Sequence, residues 1–234
     1  AEAASKLALV GFGDVKTATQ ALTNILRSFN LAGADSARVA DLVMAGWSAA
    51  GGSLEFFTKG LGTTTASLGA LGVPLEHIIA LNAVLTQAAA SNSRTFIEFN
   101  RLVETLVAPT DRARQAMAAF GVQLVVTDKG VANVPETLSR LAAALQGMTA
   151  VQRGRALRQI FPEERAFRAA ARFFQIGGAQ ITRTLNEVAN ATGSVDAKMK
   201  QTQNTFTRAS QRMAAAWERL KVTFGGPIAD LFVP

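Results

Sequence analysis

The chain has 234 residues, a formal net charge of +7, no cysteine and one histidine, with 49% hydrophobic but only 7% aromatic residues. That length can bury a sizeable core unaided by disulfides or metal, and the cysteine and histidine counts exclude a thiol nucleophile, a disulfide scaffold and a zinc site of thiolates or paired imidazoles. The apolar content is mostly Ala, Leu and Val, which favours helix bundles over sandwiches.

The opening AEAASKLALV is already in helical pattern and lacks an initiator Met, as expected of a piece of a longer protein. Asp14 can cap a helix whose apolar face is Ala18, Ala21, Leu22, Ile25, Leu26 and Phe29, with Gly33 ending it. Asp35 to Trp47 repeats the pattern through Val39, Leu42, Val43 and Gly46. The AAGGS stretch from Ala49 breaks the chain before Ser53 caps a third helix, and Gly60, Gly62, Gly69 and Gly72 weaken that helix, so it bends or packs closely on a neighbour. Pro74 opens a fourth helix with a broad buried face of Leu75, Ile78, Ile79, Leu81, Val84 and Leu85. Ser93 caps the helix running to Val107, and Pro109 starts the next, which closes at Gly121.

Residues 122–134 break the helical rhythm. Val122, Leu124 and Val126 alternate with polar or outward positions and lead into Thr127-Asp128-Lys129-Gly130, the pattern of a small β-hairpin whose turn uses the backbone freedom of Gly130. Leu124 and Val126 are its expected inward residues. Pro135 then begins PETLSRLAAAL, and shorter helices follow over Thr149 to Ile160, Glu163 to Ile176 and Gln180 to Ala191, separated by Pro162 and Gly177-Gly178. The predicted class is all-α: a compact array of roughly ten helices with one hairpin insert and a long C-terminal amphipathic helix.

From Gly193-Ser194 the character changes. Val195, Met199, Thr202, Phe206, Ala209, Met213, Ala216 and Leu220 recur at alternating steps of four and three with Trp217 beside them, a heptad-like seam on a helix of about 42 Å. The expected division is therefore 1–192 for the helical core and 193–234 for the exit helix and tail. Val195, Met199, Phe206, Met213, Trp217 and Leu220 are the candidate helix-helix contacts, made either on this domain or on another copy.

Little in the chain suggests catalysis. His77 sits beside Glu76 on an apolar helix with no HExxH and no second histidine, which fits a solvent-edge or hydrogen-bonded residue better than a general base. Glu163 and Glu164 are sequence neighbours, pointing about 100° apart on a helix, and suit a first turn facing the helix dipole better than a carboxylate pair around a substrate. GFG at Gly11–Gly13 and GLGTTTASLG lack both the GK[ST] of a P-loop and a preceding strand. No metal, cofactor-binding or catalytic residue is therefore assigned. No run of 18 or more apolar residues suggests a spanning helix.

The charge lies in the second half. Residues 1–93 carry five basic and six acidic side chains, residues 94–172 twelve and seven, and residues 194–221 six and two. The densest basic group is Arg153, Arg155, Arg158, Arg165, Arg168 and Arg172, opposed by Glu163 and Glu164. It reads either as a solvated helical face or as a contact for phosphate or acidic protein. Phe161, Phe167, Phe173 and Phe174 interleave at helical spacing and are expected in the core.

The order RLVETLVAPTDRARQAMAAFGVQLVVTDKGVANVPETLSRLAAALQGMTAVQRGRALRQIF resembles the core region of phage tail tape measure proteins. The landmarks are Ala108-Pro109, Phe120-Gly121-Val122, Asp128-Lys129-Gly130, Val134-Pro135 and Ile160-Phe161. Upstream, GDVKTATQALTNILRSFNL, SARVADLVMAGWSAAGGSLEFFTKGLG and LGVPLEHIIALNAVLTQAA look like the helices preceding the hairpin in that family, and GSVDAKMKQTQNTFTRASQRMAAAWERLKVTFG resembles its exit helix. One departure is Pro162, where the family commonly has Gly.

The resemblance implies a non-enzymatic virion protein without a cofactor. Such a protein lies in the tail-tube lumen or at the tail tip, and in the host cytoplasm during assembly. It helps set tail length and is ejected with or before the genome. Its implied partners are the tail tube protein, tail-tip proteins and tail assembly chaperones, with self-association through the C-terminal helix and DNA contact as further expectations. The alternative is a basic helical module that binds nucleic acid or an anionic membrane surface.

Overall fold

The computed structural model describes residues 2–88, 94–128, 130–203, 205 and 213. Among them the chain forms α1 (Glu2–Leu9), α2 (Val15–Ser28), α3 (Ser36–Ala50), α4 (Leu54–Ala70), α5 (Leu75–Ala88), α6 (Arg94–Val107), α7 (Asp111–Ala119), α8 (Val134–Ala144), α9 (Ala150–Ile160), α10 (Glu164–Ile176) and α11 (Gly178–Ala189). A 3₁₀ turn spans Gly33–Asp35, and residues 194–203 are helical.

Polar side chains satisfy the free N–H groups at several helix starts. Asp14 accepts from the Thr17 N–H at 2.7 Å and Ser53 from the Phe56 N–H at 3.3 Å, both as the sequence predicts. Thr110 caps α7, and Thr149 and Gln152 exchange bonds in a capping box at the start of α9. The predicted cap at Ser93 lies outside the described residues. Helix α2 stops at Ser28, before Gly33. Asn30 takes φ +48°, which lets the Leu31 N–H reach the Leu26 carbonyl at 2.8 Å and the Asn30 N–H reach Arg27 at 3.2 Å. This double bond pattern closes the helix without a glycine.

Two buried clusters share α4 and α5 as a common wall. Ile78, Leu81, Val84 and Leu85 of α5 join Phe96, Phe99, Leu102, Leu138, Ile160, Phe161 and Phe173 in the first. Leu75, Ile79, Ala80 and Ala83 join Leu7, Phe12, Leu22, Ile25, Val43 and Met44 in the second. A helix apolar all round is stable only where both faces are covered, and α5 is placed there.

The wall is tight because small residues stand at its crossings. A Cβ added to Gly46 of α3 would lie 2.4 Å from Ile79, and one added to Gly60 of α4 would lie 2.1 Å from Asn82 Oδ1 and 2.3 Å from the Phe96 ring. Asn82, fully buried, donates through Nδ2 to the Phe57 carbonyl at 3.0 Å. Of the two outcomes expected for the third helix, close packing is the one realised: α4 runs unbroken for 17 residues.

The predicted β-hairpin insert is not formed. Among the described residues there is no strand, only an isolated antiparallel bridge between Val126 and Ala132. Thr127 and Asn133 donate to the carbonyls of Val131 and Val125 at 2.7 Å each. The ladder stops there because its next groups are diverted. The Val125 N–H donates to Thr137 Oγ1 at 3.1 Å, and the Asn133 carbonyl it would meet in a ladder accepts instead from the Thr137 N–H at 3.0 Å in the first turn of α8. The predicted inward set changes accordingly. Leu124 packs against the first cluster, but Val126 is 56% exposed, and Val122, Ala132 and Val134 supply the buried contacts.

Candidate partner surface

The predicted basic residues lie on α9 and α10, which Phe161 and Pro162 separate into two helices. The six arginines do not act alike. Glu164, in the first turn of α10, receives Arg158 Nη1 at 2.6 Å and Arg168 Nε at 2.8 Å, so one carboxylate stitches the two helices across the break. These bonds from Arg158 and Arg168 hold the Glu164 carboxyl below its ordinary range, and Glu164 in turn raises Arg168. The Arg158 guanidinium also covers the Phe167 ring, 3.8 Å from its centroid, a cation–π contact.

Arg172 points inward. It pairs with Glu98 of α6, whose side chain is 9% exposed, and its Nη1 donates to Thr95 Oγ1 at 3.4 Å. Arg153 is half-buried, while Arg155 and Arg165 are exposed. Arg165 lines a groove of about 600 Å³ together with Arg94, Ile97, Glu98, Glu163 and Arg168. Three of the six predicted arginines thus bind acids of the fold. The four phenylalanines sit as expected, with Phe161 and Phe173 buried and Phe167 and Phe174 packed against the first cluster.

Sequence reading missed Glu98 and Asp41. Glu98 had a detectable signal, since it lies three residues after Thr95 and four before Leu102, on the apolar stripe of α6 where a charge demands a partner. Asp41 gave none. Its carboxylate accepts from the Gly193 and Val195 N–H groups at 2.8 and 2.9 Å, at a sequence distance no local pattern encodes.

In the predicted seam, Val195 is buried and Met199 packs against the second cluster, whereas Met213 is 74% exposed. Phe206, Trp217 and Leu220 lie outside the described residues. Among the described residues no three His, Asp or Glu side chains gather as a metal site, and no helix is long and apolar enough to cross a membrane.

His77 is half-buried with Nδ1 unpartnered. Burial, partly opposed by Glu76, pushes its pKa below the ordinary value, while Glu76 itself is held by Arg38 at 2.9 Å. The unfolded chain protonates His77 first, so the fold keeps this contribution above about pH 6.5 and loses it as pH falls through the folded value. Thermal melts should therefore show lower stability at about pH 5.5 than at about pH 7.5, and His77→Gln should reduce that difference.

Comparison with known proteins adds a family to this arrangement. Residues 1–161 match the model of the phage-related minor tail proteins. Over 216 residues the chain is 19% identical to the tape measure protein of Pneumococcus phage Dp-1, covering 92% of this chain but only 19% of that relative, so it spans about a fifth of the relative's length. No solved structure matches. A helical array built around α4 and α5, with the family match running from α1 to Phe161, means that this chain belongs to the phage-related minor tail proteins, structural components of the phage tail.

Proposed function

We propose that this chain is the helical core segment of a tail tape measure protein, which helps set tail length during assembly and leaves with or before the genome at infection. The observation that carries the reading is the similarity to the Dp-1 tape measure protein across 92% of the chain. In this reading residues 1–192 are the folded core and residues 193–234 the exit helix and tail. Of the candidate seam, Val195 and Met199 pack on this domain, and Phe206, Met213, Trp217 and Leu220 are the residues proposed to pair with a second copy. No catalytic step is assigned to the chain.

The partners in this reading are the tail tube, tail-tip proteins and assembly chaperones, met in the host cytoplasm and then in the lumen or at the tip. Arg153, Arg155 and Arg165 are the arginines offered to an anionic partner, because Arg158, Arg168 and Arg172 are held by Glu164 and Glu98. In this reading the core either opens into extended helices before entering the tube or occupies a wider end.

The test is tail length, measured by electron microscopy, in particles whose parent gene carries an in-frame insertion of about eight heptads after Leu220, adding roughly 84 Å of helix. Tails longer by about that amount are expected. Normal tails in normal yield would overturn the measuring role and favour the basic module that binds nucleic acid or an anionic membrane.

A further inference from the structure

The C-terminal helix is held at its first turn by a side chain 152 residues earlier in the sequence. Asp41 on α3 accepts from the Gly193 N–H through Oδ2 at 2.8 Å and from the Val195 N–H through Oδ1 at 2.9 Å. The first N–H groups of a helix have no partner within it, and a nearby residue usually supplies the acceptor. The N-cap position is Gly193, which has no side chain to supply one, and the Ser194 hydroxyl that follows it donates backward to the Ala191 carbonyl. Gly193, at φ +78°, turns the chain so that both N–H groups converge on one carboxylate. The capping charge thus arrives from α3, at the positive end of the helix dipole.

Among the described residues, the remaining attachment of this helix is short. Val195 is 4% exposed, Met199 packs beside it, and Lys6 of α1 approaches Asp196 at 3.7 Å. Lys200, Gln201, Thr202, Gln203, Thr205 and Met213 are all exposed. By contrast, α3 is anchored independently of Asp41 through Val39, Ala40, Leu42 and Val43, each at most 4% exposed.

We propose that Asp41 is the latch of the exit helix: its carboxylate fixes the helix's first turn to the core, and opening this contact frees the C-terminal helix while the domain stays folded. Two charge-assisted bonds to one carboxylate form or break together, which suits a switch better than apolar contact spread along a helix. Its use as the point where a compact core begins to extend rests on the tape-measure reading. The latch does not rest on it, and the test below reads the latch alone.

The experiment is amide hydrogen exchange on the full chain, comparing Asp41→Ala, Asp41→Asn and Val195→Ala with the parent. Asp41→Ala should speed exchange over residues 193–199 by at least about tenfold, the scale of losing hydrogen bonds to a charged acceptor, with α5 and α6 unchanged. Asp41→Asn keeps the shape and one acceptor oxygen, and should give a smaller rise over the same amides. It also serves as the reading if the alanine variant fails to fold. Val195→Ala should affect these amides less than Asp41→Ala. The latch is overturned if residues 193–199 are unaffected, if exchange rises equally through α3 and α5, or if Val195→Ala has the larger effect.

Discussion

Gly60→Ala is expected to destabilise the protein by about 2 kcal/mol, even though alanine is the better helix former by about 1 kcal/mol. The new methyl carbon would stand 2.1 Å from Asn82 Oδ1 and 2.3 Å from Phe96. Neither neighbour can yield cheaply. The Asn82 amide is bonded to the Phe57 carbonyl at 3.0 Å, and the Phe96 ring packs on Phe56 with centroids 4.6 Å apart. Overpacking of this kind costs about 1–3 kcal/mol, and two contacts this short place it at the upper end or beyond, so the clash outweighs the propensity gain. Two residues along the same helix, Gly62 has nothing within 4 Å of an added Cβ. Gly62→Ala should therefore stabilise by about 0.5–1 kcal/mol. Urea melts of the two variants should move in opposite directions. A shift of the same sign in both would show that the α4–α5–α6 crossing is looser than described.

Arg172→Met should cost about 3 kcal/mol, because it leaves the Glu98 carboxylate in the core beside Thr95 without its guanidinium. Removing the acid instead should cost less, since the Arg172 side chain is 32% exposed and can turn toward water. The double variant Glu98→Leu with Arg172→Met should recover most of the loss, because an apolar pair needs no desolvation of charge. A double-mutant cycle from denaturant unfolding measures this directly. Near-additive single effects would mean that the α6–α10 packing, including Phe99 against Phe173, carries the contact and that the ion pair adds nothing.

These two sites mark where sequence reading stops. The stripe Thr95, Phe96, Phe99 and Leu102 predicts the buried face of α6, and Glu98 on that stripe predicts a need for a partner. The identity of the partner depends on a helix 74 residues away. The four- and three-residue spacings that expose helices are local, and so are caps such as Asp14 and Ser53, which the sequence places correctly. The Glu164–Arg168 pair is local too, at a separation of four, and was open to prediction.

The hairpin shows the opposite error. Alternation at Val122, Leu124 and Val126 is a real local signal, but a strand exists only if its backbone groups find a second strand. Here Thr137 takes both the Val125 N–H and the Asn133 carbonyl, so one bridge remains. Competition for the same N–H by a side chain of a neighbouring helix is invisible to an alternation count.

By itself, then, the sequence determined the all-α class, most helix boundaries, the core positions of Phe161, Phe167, Phe173 and Phe174 and the order of elements that matches phage tail proteins, because these depend on interactions within a few residues. The tertiary structure decided which arginines are held by acids of the fold, where glycine is required for close approach, and that Asp41 accepts from the Gly193 and Val195 N–H groups at the start of the C-terminal helix. Each of those depends on groups brought together from distant segments, and their energies depend on burial and distance that exist only once the chain has folded.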